Sequence, residues 1–201
     1  MEIESPMRSS YIKNNFGGLL RGLILAHRPK FVIECGVLDG FSTFHIAHAL
    51  RFNHEKMGCD NKFIAYDLWE EYTYKHGTFK DVAKMLRDQG NLLNRYVNLH
   101  YGDALEVYQY FADGKVDFLH MDISNDGDIL RKTLDHWGSK ISSGGIIAFE
   151  GGSPERDKVE WMIKHDRRPI APEVVNSTLT HPEFKAQVFT AFPSMTLFFK
   201  R

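Results

Sequence analysis

Little in this sequence marks a secreted, membrane-bound or nucleic-acid-binding protein. Only two cysteines occur in 201 residues, Cys35 and Cys59, too few for a disulfide framework. They point to a reducing, cytoplasmic setting, with Cys35 expected as a small buried residue. Long hydrophobic runs are missing: Leu19 to Ala26 is the best candidate, and it is short and interrupted by Arg21. The opening Met1-Glu-Ile-Glu-Ser-Pro lacks the basic region of a signal peptide. Charge of one sign is missing too. A formal net charge of −1 offers no general attraction to nucleic acid or to an anionic membrane. There is no internal repeat, no low-complexity tract and no G-x-G-x-x-G of a dinucleotide site.

What is present is ordinary in bulk and distinctive in one place. Apolar residues make up 43% and charged residues 25%, and one domain over 1–201 is the expectation. The distinctive stretch is Phe31-Val-Ile-Glu-Cys-Gly-Val-Leu-Asp-Gly-Phe-Ser-Thr43. An apolar run ends in Glu34, the glycines Gly36 and Gly40 follow, and Ser42-Thr43 opens a helical pattern. Strand, acid, glycine turn and helix in that order suit an adenosine-containing cofactor at the carboxyl end of a parallel sheet.

Periodicity fills in the rest. A first helix is expected within the N-terminal segment 1–28, capped by Ser9 or Ser10 and ended near His27 by Pro29. Strands are predicted at Phe31–Glu34, Lys62–Asp67, Tyr96–Tyr101, Val116–Met121 and Ile146–Phe149. Helices are predicted at Phe41–Leu50, Val82–Leu93, Leu105–Phe111, Ile129–Trp137 and from Pro154 to about His165. Asn53–Asn61 is expected as an extra loop, Ser142–Gly145 as a turn and Arg167–Pro182 as a long loop. The runs Phe184–Phe192 and Ser194–Lys200 read as a closing antiparallel hairpin over 184–200. The fold class is therefore α/β: a Rossmann-like, doubly wound, mostly parallel seven-stranded sheet with a C-terminal antiparallel hairpin.

The five parallel strands end at Glu34, Asp67, Asp103, Asp122 and Glu150. One acid at a strand end is unremarkable. Five in succession at the ligand-binding edge would repel one another unless a ligand with hydroxyls, amines or a positive charge relieved them.

At this point the sequence resembles a class I S-adenosylmethionine-dependent methyltransferase. It is most similar to the catechol and caffeoyl-CoA type O-methyltransferases and to the macrolide-sugar O-methyltransferase-like family. The resemblance rests on Glu34-Cys-Gly-Val-Leu-Asp-Gly-Phe-Ser42, Ala65-Tyr-Asp67, Gly102-Asp-Ala104, Asp117-Phe-Leu-His-Met-Asp122 and Ser143-Gly-Gly-Ile-Ile-Ala-Phe-Glu150. It implies that S-adenosylmethionine (SAM) is the cofactor. Gly36 and Gly40 would let the backbone approach its methionine part, beside Ser42. Glu34 would hold its ammonium group, Asp67 its ribose hydroxyls and Asp103 the adenine amino group, with Ala104 on the ring. Asp122 would lie near the cofactor and act in catalysis, with His120 as a candidate base.

In cation-dependent members, the resemblance implies a magnesium-like ion on Asp122 and an Asp-Asn pair. Here Glu150 and Gly151 stand at that pair, and Asn125 stands where a Lys or His base is common. Asp126, Asp128 or Asp157 are the candidates to complete such a site. The expected partner is a small-molecule acceptor, with no nucleic acid and no membrane, and relatives often form homodimers. The rivals are a non-catalytic cofactor-binding protein on the same fold and an NAD-dependent oxidoreductase. A nucleic-acid methyltransferase is disfavoured by the missing Asn-Pro-Pro-Tyr motif and the near-zero charge. The aromatic cluster Trp69, Tyr72, Tyr74 and Phe79 would either cover adenine or pack under a loop.

Overall fold

The computed structural model describes residues 8–201, so the reading of Met1–Pro6 lies outside the described residues. The chain divides into two compact units, residues 1–103 and 104–201. Seven strands are arranged in the order β3-β2-β1-β4-β5-β7-β6.

In the first unit, β1 (Phe31–Cys35), β2 (Lys62–Asp67) and β3 (Asn98–Tyr101) run parallel, with Phe31 opposite Lys62 and Ile64 opposite Asn98. β1 and β2 are buried almost throughout, which is why they read as unbroken apolar runs and do not alternate. Helix α1 (Phe16–His27) buries Phe16, Gly17, Leu20 and Ile24, one stripe at helical spacing. Its N-cap is Asn15, while Ser9 caps a separate 3-10 turn at Ser10–Ile12. Helix α2 (Phe41–Met57) lies against α1, and they meet at Gly17, where an added Cβ would lie 2.4 Å from His45 Cδ2. Asn53 Nδ2 donates to the Ile24 carbonyl (2.8 Å), which also accepts from the Arg28 amide (3.0 Å) at the end of α1. Helix α3 (Phe79–Asp88) is capped by Thr78, which accepts from the Asp81 amide.

In the second unit, β4 (Val116–Met121) and β5 (Ile141–Glu150) are parallel. β7 (Met195–Lys200) runs antiparallel beside β5, and β6 (Phe184–Phe189) runs antiparallel beside β7. Helix α4 (Gly127–Trp137) starts at Asp126, whose carboxylate accepts from the Asp128 amide (2.9 Å). It ends with Trp137, fully buried, its indole N–H donating to the Ala104 carbonyl (3.0 Å). Burying an aromatic side chain of this size while pairing its one donor is worth about 2–3 kcal/mol.

Several expectations are corrected. Residues 167–182 are no long loop but hold helix α7 (Ile170–Thr180). Pro172 lies in its first turn, where a missing N–H costs nothing. Two of the remaining first-turn amides, from Ile170 and Ala171, donate to Asp157 at 2.8 Å each. The helix expected from Pro154 to His165 is two short pieces, α5 (Pro154–Asp157) and α6 (Glu160–Lys164), broken where Val159 adopts extended geometry. Leu105–Phe111 forms only a 3-10 turn, Val107–Tyr110, because Glu106 is not helical. Ser142–Gly145 is absorbed into β5, and the register with β4 shifts between Val116 and Phe118. The loop expected at Asn53–Asn61 is mostly helix, since α2 continues to Met57 and stops at Gly58. β6 ends at Phe189, so the hairpin connection is longer than two residues and contains the cis Phe192–Pro193 bond.

Candidate functional site

The first unit carries a glycine-rich turn between β1 and α2. Gly36 (φ 93°) and Gly40 (φ 82°) both adopt left-handed geometry open to glycine, and the turn between them also strains Leu38 (φ 52°). The expectation for Gly40 was room for a cofactor. In this structure the crowding there comes from α3: an added Cβ would sit 2.7 Å from Met85 Cε and 3.0 Å from Val82 Cγ1.

Asp67, the last residue of β2, grips this turn. Its Oδ2 accepts from the amides of Val37 (2.6 Å) and Leu38 (3.1 Å), and its Oδ1 from the Trp69 amide (2.8 Å). A carboxylate offers about four acceptor positions, so three amides leave little to spare. Glu34 is fully buried and accepts from Thr43 Oγ1 at 2.5 Å, joining the end of β1 to the first turn of α2. Ser42 is buried in that same turn, Asp103 is half-buried after β3, and Ala104 is buried at the start of the second unit. Cys35 is fully buried next to Glu34. Burial pushes its thiol pKa well up, and the charges of Glu34, Asp103 and Asp67 push it further the same way. The thiol is therefore inert, and both cysteines are free.

Asp39, inside the turn, pairs with Arg8 (2.7 Å), which also donates to the His76 carbonyl (3.0 Å). The hydrogen bond from Arg8 holds the Asp39 carboxyl below its usual range. Arg8, Asp39, His76, Thr78, Val82 and Met85 are among the residues lining a cavity of about 250 Å³. Of the aromatic cluster, Trp69 is buried, donates to the His100 carbonyl (3.0 Å) and meets Phe79 edge-on (5.3 Å), while Tyr72 and Tyr74 are exposed.

In the second unit β4 and β5 end side by side, Met121 opposite Phe149, so Asp122 and Glu150 follow at neighbouring positions. Glu150 is buried. Asn125 Nδ2 donates to its Oε2 (3.2 Å), and Arg156 Nη2 lies 3.8 Å from its Oε1. His120 is fully buried within β4, and His136 stacks on Tyr108 at 4.5 Å. Arg167 and Arg168, at the start of the segment expected as a long loop, are engaged: Arg167 with Asp126 (3.2 Å) and over Trp161 (5.3 Å), Arg168 with Asp128 (3.2 Å) and Glu173 (2.5 Å).

These residues do not fit a divalent cation. Among the described residues no three His, Cys, Asp or Glu side chains gather as a ligand set. Gly151 has φ 106°, and a side chain there would start 2.6 Å from Ile170 Cδ1. Asp126 caps α4, Asp128 pairs with arginines and Asp157 caps α7, so none of the three candidate replacements is available. Glu150 has a guanidinium beside it, where a metal site would need a bare carboxylate.

Two participants escaped the sequence reading. Thr43 is read in sequence only as part of the Ser42-Thr43 helix start, not as a partner of Glu34. Arg156 lies in the short helix that Ser153 caps, and it turns in toward Glu150.

The model of a methyltransferase domain family matches residues 33–150, more than half of the chain. No curated protein sequence gives a significant match. Among solved structures, a methyltransferase from Geobacter sulfurreducens has 17% identity and a TM-score of 0.66, covering 97% of this chain and 80% of that one. An O-methyltransferase from Bacillus cereus in complex with SAH has 16% identity and a TM-score of 0.67, covering 97% and 84%. The O-methyltransferase TomG from Streptomyces achromogenes, involved in tomaymycin synthesis and in complex with SAM, has 17% identity and a TM-score of 0.63, covering 92% and 79%. At these identities the structures share the Rossmann-like fold. With its glycine-rich turn and strand-end acids inside the matched span, the chain belongs to the methyltransferase domain family.

Proposed function

We propose that the protein transfers the methyl group of SAM to a hydroxyl of a small molecule. The observation that carries this is the turn Gly36–Gly40, flanked by the buried Glu34 and clasped by Asp67, inside the methyltransferase-matched span. Structural neighbours holding SAM or SAH support the choice of cofactor.

In this reading Glu34 meets the cofactor's ammonium group, directly or through water. Gly36, Gly40 and Ser42 border its methionine part. Asp67 accepts the ribose hydroxyls in exchange for some of its turn amides, Asp103 meets the adenine amino group and Ala104 packs on the ring. The positive sulfur already activates the methyl group, so no covalent enzyme intermediate is required. The acceptor oxygen attacks in line as the O–CH₃ bond forms and the S–CH₃ bond breaks. The electron pair of the broken bond goes to sulfur, leaving neutral SAH. Asp122, half-buried at the end of β4, takes the hydroxyl proton; the buried His120 is the second candidate. Alignment supplies most of the rate. The acceptor is a small molecule, without nucleic acid or membrane.

Incubation with methyl-labelled SAM and a panel of hydroxylated small molecules tests the reading. The expected product is an O-methyl compound identified by mass spectrometry. Cofactor binding with no turnover on any acceptor would favour the non-catalytic reading, and N-methyl products would move the chemistry to another acceptor class.

A further inference from the structure

Among the described residues, the guanidinium of Arg156 lies beside Glu150. Arg156 and Glu150 are nearly enclosed, with side chains 12% and 6% exposed. At 3.8 Å the pair is close enough for charge attraction but too long for a hydrogen bond. Arg156 Nε is buried and has no hydrogen-bond partner. Asn125 spends its Nδ2 on the other oxygen of Glu150, and its Oδ1 is likewise buried without a partner. The cluster therefore offers one unmet donor and one unmet acceptor on two side chains that reach the same carboxylate. Buried polar atoms are rarely left so, and where they are, a ligand is a natural explanation. A hydroxyl has one donor and two acceptor lone pairs, which matches these two groups in kind.

We infer that Arg156, held by Glu150, takes the place of the divalent cation of metal-dependent relatives and, with Asn125, anchors the acceptor hydroxyl. This rests on the proposed methyl transfer. Before transfer the acceptor oxygen accepts from Arg156 Nε–H and its O–H rests on Asn125 Oδ1; the proton passes to Asp122, the base, as the O–CH₃ bond forms. A guanidinium beside that oxygen favours its deprotonated form, the task a bound metal would otherwise perform. The same positive charge repels a metal ion from Glu150. Phe192, its ring centroid 5.9 Å from the guanidinium carbon, supplies an apolar wall and limits which acceptors enter. Arg156 is thus a binding and specificity residue for small molecules with a hydroxyl.

Three experiments on the full chain test this. Titration with Mn²⁺, followed by electron paramagnetic resonance with and without SAH, is expected to show no saturable site. Phenol and toluene are then compared as probes of the SAH-loaded protein by ligand-observed NMR. Phenol is expected to bind about tenfold more tightly, the scale of one buried hydrogen-bonded pair. That preference should vanish in Arg156→Met and Asn125→Leu, stay lost in Arg156→Lys, which keeps the charge without the Nε donor, and persist in the exposed Arg131→Met. Finally, turnover measured in EDTA should equal that in magnesium. A saturable Mn²⁺ site abolished by Glu150→Gln would overturn the inference. So would equal binding of phenol and toluene, or a phenol preference that survives Arg156→Met in protein whose melting temperature shows it folded. Failure of SAM to bind, measured separately by calorimetry, would sink the methyltransferase reading and leave the Mn²⁺ and phenol results to decide this one.

Discussion

Asp67→Asn separates two jobs that one carboxylate performs. In the ligand-free protein Asp67 accepts three amides, two on Oδ2 from Val37 and Leu38 and one on Oδ1 from Trp69. An asparagine of the same shape has one oxygen and one NH₂. Whichever way it turns, the NH₂ faces N–H donors, so at least one amide loses its partner. The cost of such a loss is about 1–3 kcal/mol. Two of the donors, Leu38 (φ 52°) and Trp69 (φ 51°), are held in left-handed backbone geometry, so losing the clasp also releases strain and loosens the turn. For a chain of this size each kcal/mol moves the melting temperature by about 2–4 °C, which gives a fall of about 2–12 °C without any ligand. The assay is thermal unfolding of the ligand-free variant, followed by calorimetric titration with SAM, whose affinity should also fall. In wild type, adding SAM should alter amide exchange at Val37 and Leu38, because the ribose competes for the same oxygens. An unchanged ligand-free melting temperature would refute the clasp and leave Asp67 as a carboxylate waiting for ribose alone.

Three further outcomes follow from the packing. Burial, with Arg21 and His48 adding to it, lowers the His45 pKa from 6.5 to about 4. The unfolded chain therefore takes up this proton first, and stability should fall as pH drops from about 6.5 towards 4; denaturant melts across that window should be flatter in His45→Gln. Gly17→Ala should cost about 1–3 kcal/mol in the same melts, since its methyl would press into His45 and Phe41 at the α1–α2 contact. Asp157→Ala should cost about 0.5–2 kcal/mol and raise amide exchange at Ile170 and Ala171, whose N–H groups lose their acceptor.

The strand-end acids and the glycine turn were legible because each follows from local rules. An apolar run buried on both faces gives a parallel strand, and the acid, glycine and hydroxyl that follow it mark a turn into a helix. Helix α7 was not legible, because its start depends on Asp157, an acid thirteen residues before Ile170, and because Pro169 and Pro172 imitate a loop. The break between α5 and α6 falls just after Asp157, where Val159 is extended. The site shows a similar division. Positions 34, 67 and 150 could be picked from sequence, but not their partners Thr43, the turn amides and Arg156, which only the folded chain brings to them. The expectation of a metal on Glu150 came from resemblance. It gives way to geometry, because Gly151 has no room for a ligand and Arg156 already supplies the charge.

The most direct test of the whole account is calorimetric titration of the purified chain with SAM, SAH and NAD in parallel. The account predicts saturable binding of SAM and SAH at one site per chain, weakened by Asp67→Asn, and no heat from NAD. Binding of NAD without SAM would contradict it.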